Sequence, residues 1–138
     1  MRRLQFGLRT WLLLCLLLSV LLGLGVNEYL QYQAAEYRKR VALMADLVAR
    51  QIMEHVERTK GDLPKSWADM PGVDDSVRAQ VRVDFSITVD DVRRDEELIL
   101  QMVKPVDESV LNLQSAHRRL RIAGRMIQLW KRPLIDGR

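Results

Sequence analysis

The first sixty residues pass from a continuous apolar run to an amphipathic stripe without any residue that would break a helix. Residues 11–26 carry no charge and are mostly leucine. No proline occurs before Pro64, and no glycine lies between Gly25 and Gly61. The pattern predicts a single helix from about residue 8 to about residue 60, apolar on all sides in its first half and amphipathic in its second half.

The apolar run is close to the length that crosses a bilayer. Its sixteen residues span roughly 24 Å at about 1.5 Å each, and Leu8 to Thr10 extend the segment toward the roughly 30 Å of a hydrocarbon core. A signal peptide would end in a small-x-small cleavage site, and Gly23-Leu24-Gly25 is a weak one. We therefore predict an uncleaved signal anchor, whose membrane-spanning residues are Trp11, Leu12, Leu13, Leu14, Cys15, Leu16, Leu17, Leu18, Ser19, Val20, Leu21, Leu22, Gly23, Leu24, Gly25 and Val26.

Basic residues set the expected orientation of the anchor. Arg2, Arg3 and Arg9 precede the run, so the N-terminus is expected in the cytoplasm and the rest of the chain outside the membrane. The basic residues at 38–40 oppose this orientation, but they lie about a dozen residues beyond the run. The predicted organisation is a basic N-terminus at 1–10, a transmembrane anchor at 11–26, an amphipathic helix at 27–60 and a small domain at 61–138 that ends in a basic helix.

Apolar or small positions recur every three or four residues along the predicted helix and form one stripe. Between Leu30 and Val48 the spacing is nearly that of a heptad repeat, which favours a seam with a second helix. Packing of this stripe on the chain's own C-terminal domain is the preferred alternative, because alanine and methionine specify coiled coils weakly. The candidate interaction seam comprises Leu30, Ala34, Tyr37, Val41, Met44, Val48 and Ile52.

The remaining residues predict a small domain with few strands and a C-terminal helix. Apolar and polar residues alternate over Val81–Val89, which predicts a strand with one buried face. The next residues predict either a helix capped by Asp90 or Asp91, whose apolar residues are Val92, Ile99 and Met102, or a second strand at Leu98–Val103. We expect a short helical turn at 91–97 followed by an extended segment. A helix from about Glu108 to Lys131 should dock on the first strand, and its apolar stripe is Ala116, Leu120, Ala123, Ile127 and Trp130. The predicted fold class is α+β, with a long N-terminal transmembrane-plus-soluble helix.

Charge and chemistry-bearing residues narrow the functional classes. The net charge is +4, with −6 in residues 61–110 and +6 in residues 111–138, so the acidic middle and the basic tail are expected to attract each other. The two histidines, His55 and His117, fit no metal-ligand spacing, and no phosphate-binding glycine loop or nucleophile elbow occurs. We therefore expect no catalytic, cofactor-binding or metal-binding residue and no enzyme activity.

Two parts of the sequence resemble known protein families. The opening residues RRLQFGLRTWLLLCLLLSVLLGL resemble the R-F-x-L-R-T-L-L-L-L start of a large set of single-pass bacterial membrane-anchored proteins, most of them uncharacterised. The layout that follows resembles type IV pilins and pseudopilins, which have a long helix, a loop of the form G-x-x-P-x-S-W-x-D and a strand. The matching loop residues are Gly61, Pro64, Ser66, Trp67 and Asp69.

The similarity to pilins stops at the processing motif. A prepilin has a glycine cleavage site followed by an aromatic residue or methionine, and a glutamate five residues on. Here Gly7 is followed by Leu8, and Leu12 stands at the position of the glutamate. The two resemblances imply an anchored protein of the cytoplasmic membrane of a bacterium, without the prepilin processing step.

The sequence favours a single-pass membrane-anchored, non-enzymatic interaction or structural protein with a small extracytoplasmic domain. One alternative is a secreted or tethered enzyme or ligand-binding domain after signal removal. Another is a cytoplasm-facing protein whose basic C-terminal helix binds nucleic acid or anionic lipid. The expected partners are the lipid bilayer and, through the long helix, a second copy of the chain or another membrane protein; nucleic acid is not expected, and neither is a cofactor.

Overall fold

The computed structural model describes residues 2–110 and 112–131 of the chain, with side chains described from residue 7 onward. The chain divides into two compact units, Met1–Tyr37 and Arg38–Arg138. The fold is α+β, with a long N-terminal helix, a small antiparallel sheet and a C-terminal helix, as predicted. In chain order the elements are α1 (Arg2–Thr59), a first 3₁₀ helix (Trp67–Asp69), α2 (Asp75–Gln80), β1 (Val81–Val83), α3 (Val89–Arg94), a second 3₁₀ helix (Glu96–Met102), β2 (Val103–Pro105) and α4 (Gln114–Trp130).

The first unit consists of the N-terminal part of α1. The helix continues through residue 59, which confirms the single helix expected from the absence of proline and internal glycine. The second unit begins at Arg38, so the outer half of the predicted amphipathic helix at 27–60 belongs to the same compact unit as residues 61–138.

α1 ends in a turn with left-handed backbone geometry. Lys60 has φ of 56° and Gly61 has φ of 104°. The Gly61 N–H donates a hydrogen bond of 2.9 Å to the Val56 carbonyl, which satisfies one of the carbonyls left open at the helix end. Glycine suits this position because it adopts positive φ without a steric penalty.

The core of the second unit is built on one face of α1. Val41, Val48 and Ile52 are at most 1% exposed, and Ala45 and Ala49 lie fully buried between them. The small alanines allow the facing elements to approach the helix closely, while each buried valine or isoleucine contributes about 1.5–3 kcal/mol. The facing core residues include Val92, Ile99, Met102, Leu120 and Ile127.

β1 and β2 form a two-stranded antiparallel sheet in which Arg82 lies opposite Lys104. The strand predicted over Val81–Val89 is therefore wrong beyond its third residue. The Asp84 carboxylate accepts a hydrogen bond of 2.9 Å from the Ser86 backbone N–H, and this local turn ends the strand. The alternation that suggested a longer strand survives as alternating burial across residues 81–89.

The segment that joins α3 to the sheet also differs from the prediction. α3 begins two residues before the predicted helical turn at 91–97. The Asp95 carboxylate then accepts a hydrogen bond from the Glu97 backbone N–H and so caps the second 3₁₀ helix. The predicted strand at Leu98–Val103 is consequently wrong except at its last residue, and the paired strand continues to Pro105.

α4 starts six residues after the predicted Glu108, because the Asp107 carboxylate accepts a hydrogen bond from the Ser109 N–H and forms a separate turn. The buried stripe is the predicted one, with Trp130 remaining 44% exposed. The helix packs against α3 and the second 3₁₀ helix, so its predicted docking on the strand is wrong. A strand of three residues offers too small a face for a helix of this length. Gly124 allows the close approach, since a Cβ there would lie 3.2 Å from Glu96 Cγ.

Truncation of the α4 stripe tests this packing. Leu120→Ala should lower the free energy of unfolding by about 2–5 kcal/mol, because the side chain is fully buried and its removal leaves a cavity. Arg121→Ala, the matched control, should cost only about 0–1 kcal/mol, because Arg121 is exposed and lies 3.6 Å from Glu97. Denaturant titration of the full chain in detergent micelles, followed by near-ultraviolet circular dichroism, measures both values. Equal stability of Leu120→Ala and the unsubstituted chain would contradict the docking of α4.

Candidate membrane anchor and interaction surface

The side chains in the apolar part of α1 are exposed. Every side chain from Trp11 to Val26 is exposed, including nine leucines and two valines that would otherwise be expected in a core. An eighteen-residue window of this helix is apolar, and none of it is buried within the chain. By length and composition the helix can cross a membrane.

Aromatic side chains bracket the apolar run. Trp11 lies at its start, and Tyr29 and Tyr32 follow its end; all three are exposed. At about 1.5 Å per residue, the rise from Trp11 is roughly 27 Å to Tyr29 and roughly 32 Å to Tyr32, which matches a hydrocarbon core of about 30 Å. Tryptophan and tyrosine favour the two membrane–water interfaces. The sequence prediction ended the span at Val26 and missed these tyrosines, although their spacing from Trp11 was available.

The polar hydroxyl inside the run is satisfied within the helix. Ser19 Oγ donates a hydrogen bond of 2.8 Å to the carbonyl of Cys15, one turn earlier. A hydroxyl bonded in this way can enter a hydrocarbon environment at a smaller desolvation cost. Ser19 is therefore compatible with a position inside the bilayer.

The candidate seam is divided between the two units. Val41, Val48 and Ile52 lie in the core of the chain itself, and Met44 is half-buried beside them. These positions are therefore occupied by intramolecular contacts, which is the alternative that the sequence favoured. The other seam residues, which remain exposed, are Leu30, Ala34 and Tyr37.

A cleft of about 350 Å³ lies between α1 and the start of α4. Asp46, at the edge of this cleft, joins the two helices: its carboxylate accepts hydrogen bonds of 2.7 Å from Arg119 and 2.8 Å from Ser115. Partial burial raises the pKa of Asp46, but these hydrogen bonds outweigh it and the pKa is lowered. The cleft is lined by Lys39, Ala42, Leu43, Asp46, Asn112, Leu113, Ser115 and Ala116.

The other aspartates with a shifted pKa belong to caps, turns and a surface ion pair. Asp74 accepts hydrogen bonds from the Ser76 hydroxyl and the Val77 N–H, which lower its pKa while it caps α2. The pKa of Asp91 is lowered in the same way, by hydrogen bonds from the hydroxyl and the backbone N–H of Thr88, its partner in a capping box. Each of these groups is held as a carboxylate by its role in the fold. The other aspartates with a lowered pKa are Asp62, Asp69, Asp84 and Asp107.

His55 is the buried polar residue of the described core. Its Nδ1 lies 3.3 Å from Arg58 Nη2. An arginine side chain can only donate, so Nδ1 is the acceptor in this contact. Within residues 2–110 and 112–131, no three histidine, cysteine, aspartate or glutamate side chains are grouped so that they could hold a metal ion.

The link through Asp46 should make stability depend on pH. Its lowered pKa means that the carboxylate stabilises the fold above the unfolded-state value of about 3.9, and that this contribution is lost as the pH falls through the folded-state pKa. Asp46→Asn should therefore lower the free energy of unfolding at neutral pH by about 1–2 kcal/mol, with the difference shrinking in acid. Denaturant titrations at several pH values measure this difference.

The matched control is Asp90→Asn, because Asp90 is 79% exposed and lies 3.7 Å from Arg93. It should change stability by less than about 1 kcal/mol. A difference between Asp46→Asn and the unsubstituted chain that stays constant from neutral to acid pH would contradict the proposed role of the carboxylate.

Taken together, the described residues offer an exposed apolar helix, three exposed seam positions, one apolar cleft and a set of structural carboxylates. No protein-family model matches the chain, and neither a curated protein nor a solved structure is significantly similar to it.

Proposed function

We propose that the chain is a single-pass membrane-anchored, non-enzymatic interaction or structural protein of the cytoplasmic membrane of a bacterium. The observation that carries this proposal is the fully exposed apolar segment of α1, which is long enough to cross a bilayer. The aromatic residues Trp11, Tyr29 and Tyr32 support a fixed depth for this segment in the membrane.

The proposed orientation places the N-terminus in the cytoplasm and the second unit outside it. The charge of +3 in residues 1–10, ahead of the apolar segment, supports this orientation. The exposed basic residues at 38–40 favour the opposite orientation, in which the second unit faces the cytoplasm. Their greater distance from the apolar segment gives them less weight.

The structural role of the acidic residues supports a non-enzymatic function. Catalytic acids and bases usually have a pKa shifted toward the working pH. The shifted aspartates of the described residues instead have a lowered pKa, and each holds a cap, a turn or an ion pair, as at Asp74, Asp91 and Asp46. The carboxylates are thus used to shape a small domain, as an interaction protein requires.

The exposed part of the seam is the proposed contact with a partner. Leu30, Ala34 and Tyr37 lie in the first unit, on one side of α1 at successive turns. A second copy of the chain or another membrane protein could pack its helix against this side. The buried part of the seam, from Val41 to Ile52, does not take part because it holds the core together.

Anchoring and orientation can be measured on the full chain in bacterial cells. We expect the chain to remain in the membrane after alkaline carbonate extraction, with an intact mass that includes residues 1–26. Protease added to spheroplasts should reach residues 38–138, whereas an N-terminal tag should be protected. A soluble product that starts near Val26 would overturn the anchor and favour the secreted alternative.

Replacement of Arg2, Arg3 and Arg9 by glutamine is the control for orientation. If these residues set the orientation, the second unit of this variant should become protected from the added protease, while the variant stays in the membrane. Protection of residues 38–138 in the unsubstituted chain would contradict the proposed orientation and favour the cytoplasm-facing alternative.

Cysteine cross-linking tests pairing of chains through the exposed seam. In a Cys15→Ala background, Ala34→Cys should form disulfide-linked dimers in membranes, because position 34 faces the proposed partner helix. Glu36→Cys, on the other side of the helix, should not, and neither should Val41→Cys, which lies in the core. Equal cross-linking at positions 34 and 36, or none at position 34, would contradict pairing of two copies.

A further inference from the structure

The outward side of α4 combines arginines with exposed aliphatic residues. We define the α4 outer face as Arg118, Arg121, Ile122, Arg125 and Leu129, all of which are exposed. Their spacing of three or four residues places them along one side of the helix. The opposite side of the same helix is the buried stripe that holds α4 in the fold.

The two aliphatic side chains of this face are unusually exposed for their size. Ile122 is 41% exposed and Leu129 is 64% exposed. Either one alone would be unremarkable on a protein surface. Here they share one helix side with arginines, which is the composition of helices that rest on a membrane surface, with aliphatic groups below the headgroups and guanidinium groups among them.

The arginines of this face have charge available for an external partner. Among the described residues, Arg118 has no ion-pair partner. Arg121 and Arg125 lie 3.6 Å from Glu97 and 3.5 Å from Glu96, in contacts that are too long to be good hydrogen bonds, and their side chains remain 54% and 74% exposed. Each guanidinium can therefore bind an additional anion while it stays near its carboxylate.

The surface around these arginines is concave enough to receive phosphate groups. A shallow groove of about 590 Å³ runs along the helix. Guanidinium groups bind phosphate oxygens through two parallel hydrogen bonds. The groove is lined by Gln114, His117, Arg118, Arg121, Ile122 and Arg125.

We propose that the α4 outer face binds the phosphate headgroups of an anionic phospholipid membrane, with Ile122 and Leu129 entering the region just below them. This inference rests on the proposed function, since the anchor keeps the second unit near a bilayer and so raises the effective concentration of lipid. Lipid fits better than nucleic acid because the arginines alternate with aliphatic residues, whereas binding of single strands uses aromatic side chains on which bases stack.

The experiment uses the full chain in proteoliposomes. A fluorophore is attached to Gln114→Cys, at the start of α4, in a Cys15→Ala background, and nitroxide-labelled headgroups act as quenchers. Both leaflets have the same composition, neutral phosphatidylcholine with or without about 30% phosphatidylglycerol, so the result does not depend on orientation. We expect strong quenching in anionic vesicles, weak quenching in neutral vesicles, and a return to the neutral value at about 0.5 M salt.

Paired variants separate this surface from general charge. Arg118→Gln/Arg125→Gln should reduce quenching in anionic vesicles to the neutral level, and the lysine versions of both changes should restore most of it. The matched control is Arg93→Gln/Arg94→Gln on α3, where both side chains are exposed, and it should leave quenching unchanged. Ile122→Ser should reduce quenching without removing its salt dependence. Thermal melts confirm that the variants keep their fold.

Flotation of the same vesicles distinguishes failure of this inference from failure of the anchor. A chain that floats with vesicles of both compositions but is quenched equally in them overturns lipid binding by α4. Quenching that does not depend on phosphatidylglycerol, together with a rise in fluorophore anisotropy on addition of DNA, overturns lipid binding in favour of nucleic-acid binding. A chain that does not float with neutral vesicles contradicts the anchor. In that case, lipid binding by α4 is supported if the unsubstituted chain floats with anionic vesicles and the Arg118→Gln/Arg125→Gln variant does not. Any other flotation result overturns it.

Discussion

Burial of one face of α1 is the interaction on which the second unit depends. The two strands have three residues each, and α2 and α3 have six, so none of these elements is stable by itself. They become ordered because Val41, Val48, Ile52 and Val56 present a continuous apolar surface against which they can pack. Ala45 and Ala49 have small side chains, so the short elements can approach the helix axis closely.

Polar side chains determine where the short elements begin and end. The acidic middle of the chain places Asp74, Asp84, Asp91, Asp95 and Asp107 at successive caps and turns. Each carboxylate accepts a hydrogen bond from a nearby backbone N–H that would otherwise lack a partner. Part of the negative charge of this region therefore serves the turns of the chain, and the arginines of α4 lie beside another part of it, at Glu96 and Glu97.

The long helix and the α4 stripe were predictable because their periodicity extends over many turns. The strand over Val81–Val89 was overestimated because alternation of apolar residues does not reveal that Asp84 will bind the Ser86 N–H. Of the predicted seam, Val41, Val48 and Ile52 lie in the core, but the phase of the stripe was ambiguous from sequence: the core also uses Ala45 and Ala49, which sequence alone ranks below Met44. The partner of α4 could not be derived, since it depends on contacts between residues far apart in the chain.

The distribution of core residues makes the second unit separable by proteolysis. Residues 38–40 are three exposed basic side chains at the boundary between the units. In the part of the chain that the structure describes, every core residue, and every half-buried hydrophobic residue packed against the core, lies at Val41 or later. A trypsin-like protease that cuts at this boundary would remove the exposed apolar part of α1 and leave the core complete. If the apolar helix anchors the chain as proposed, one cut at this boundary would therefore release the second unit from its anchor with its core intact.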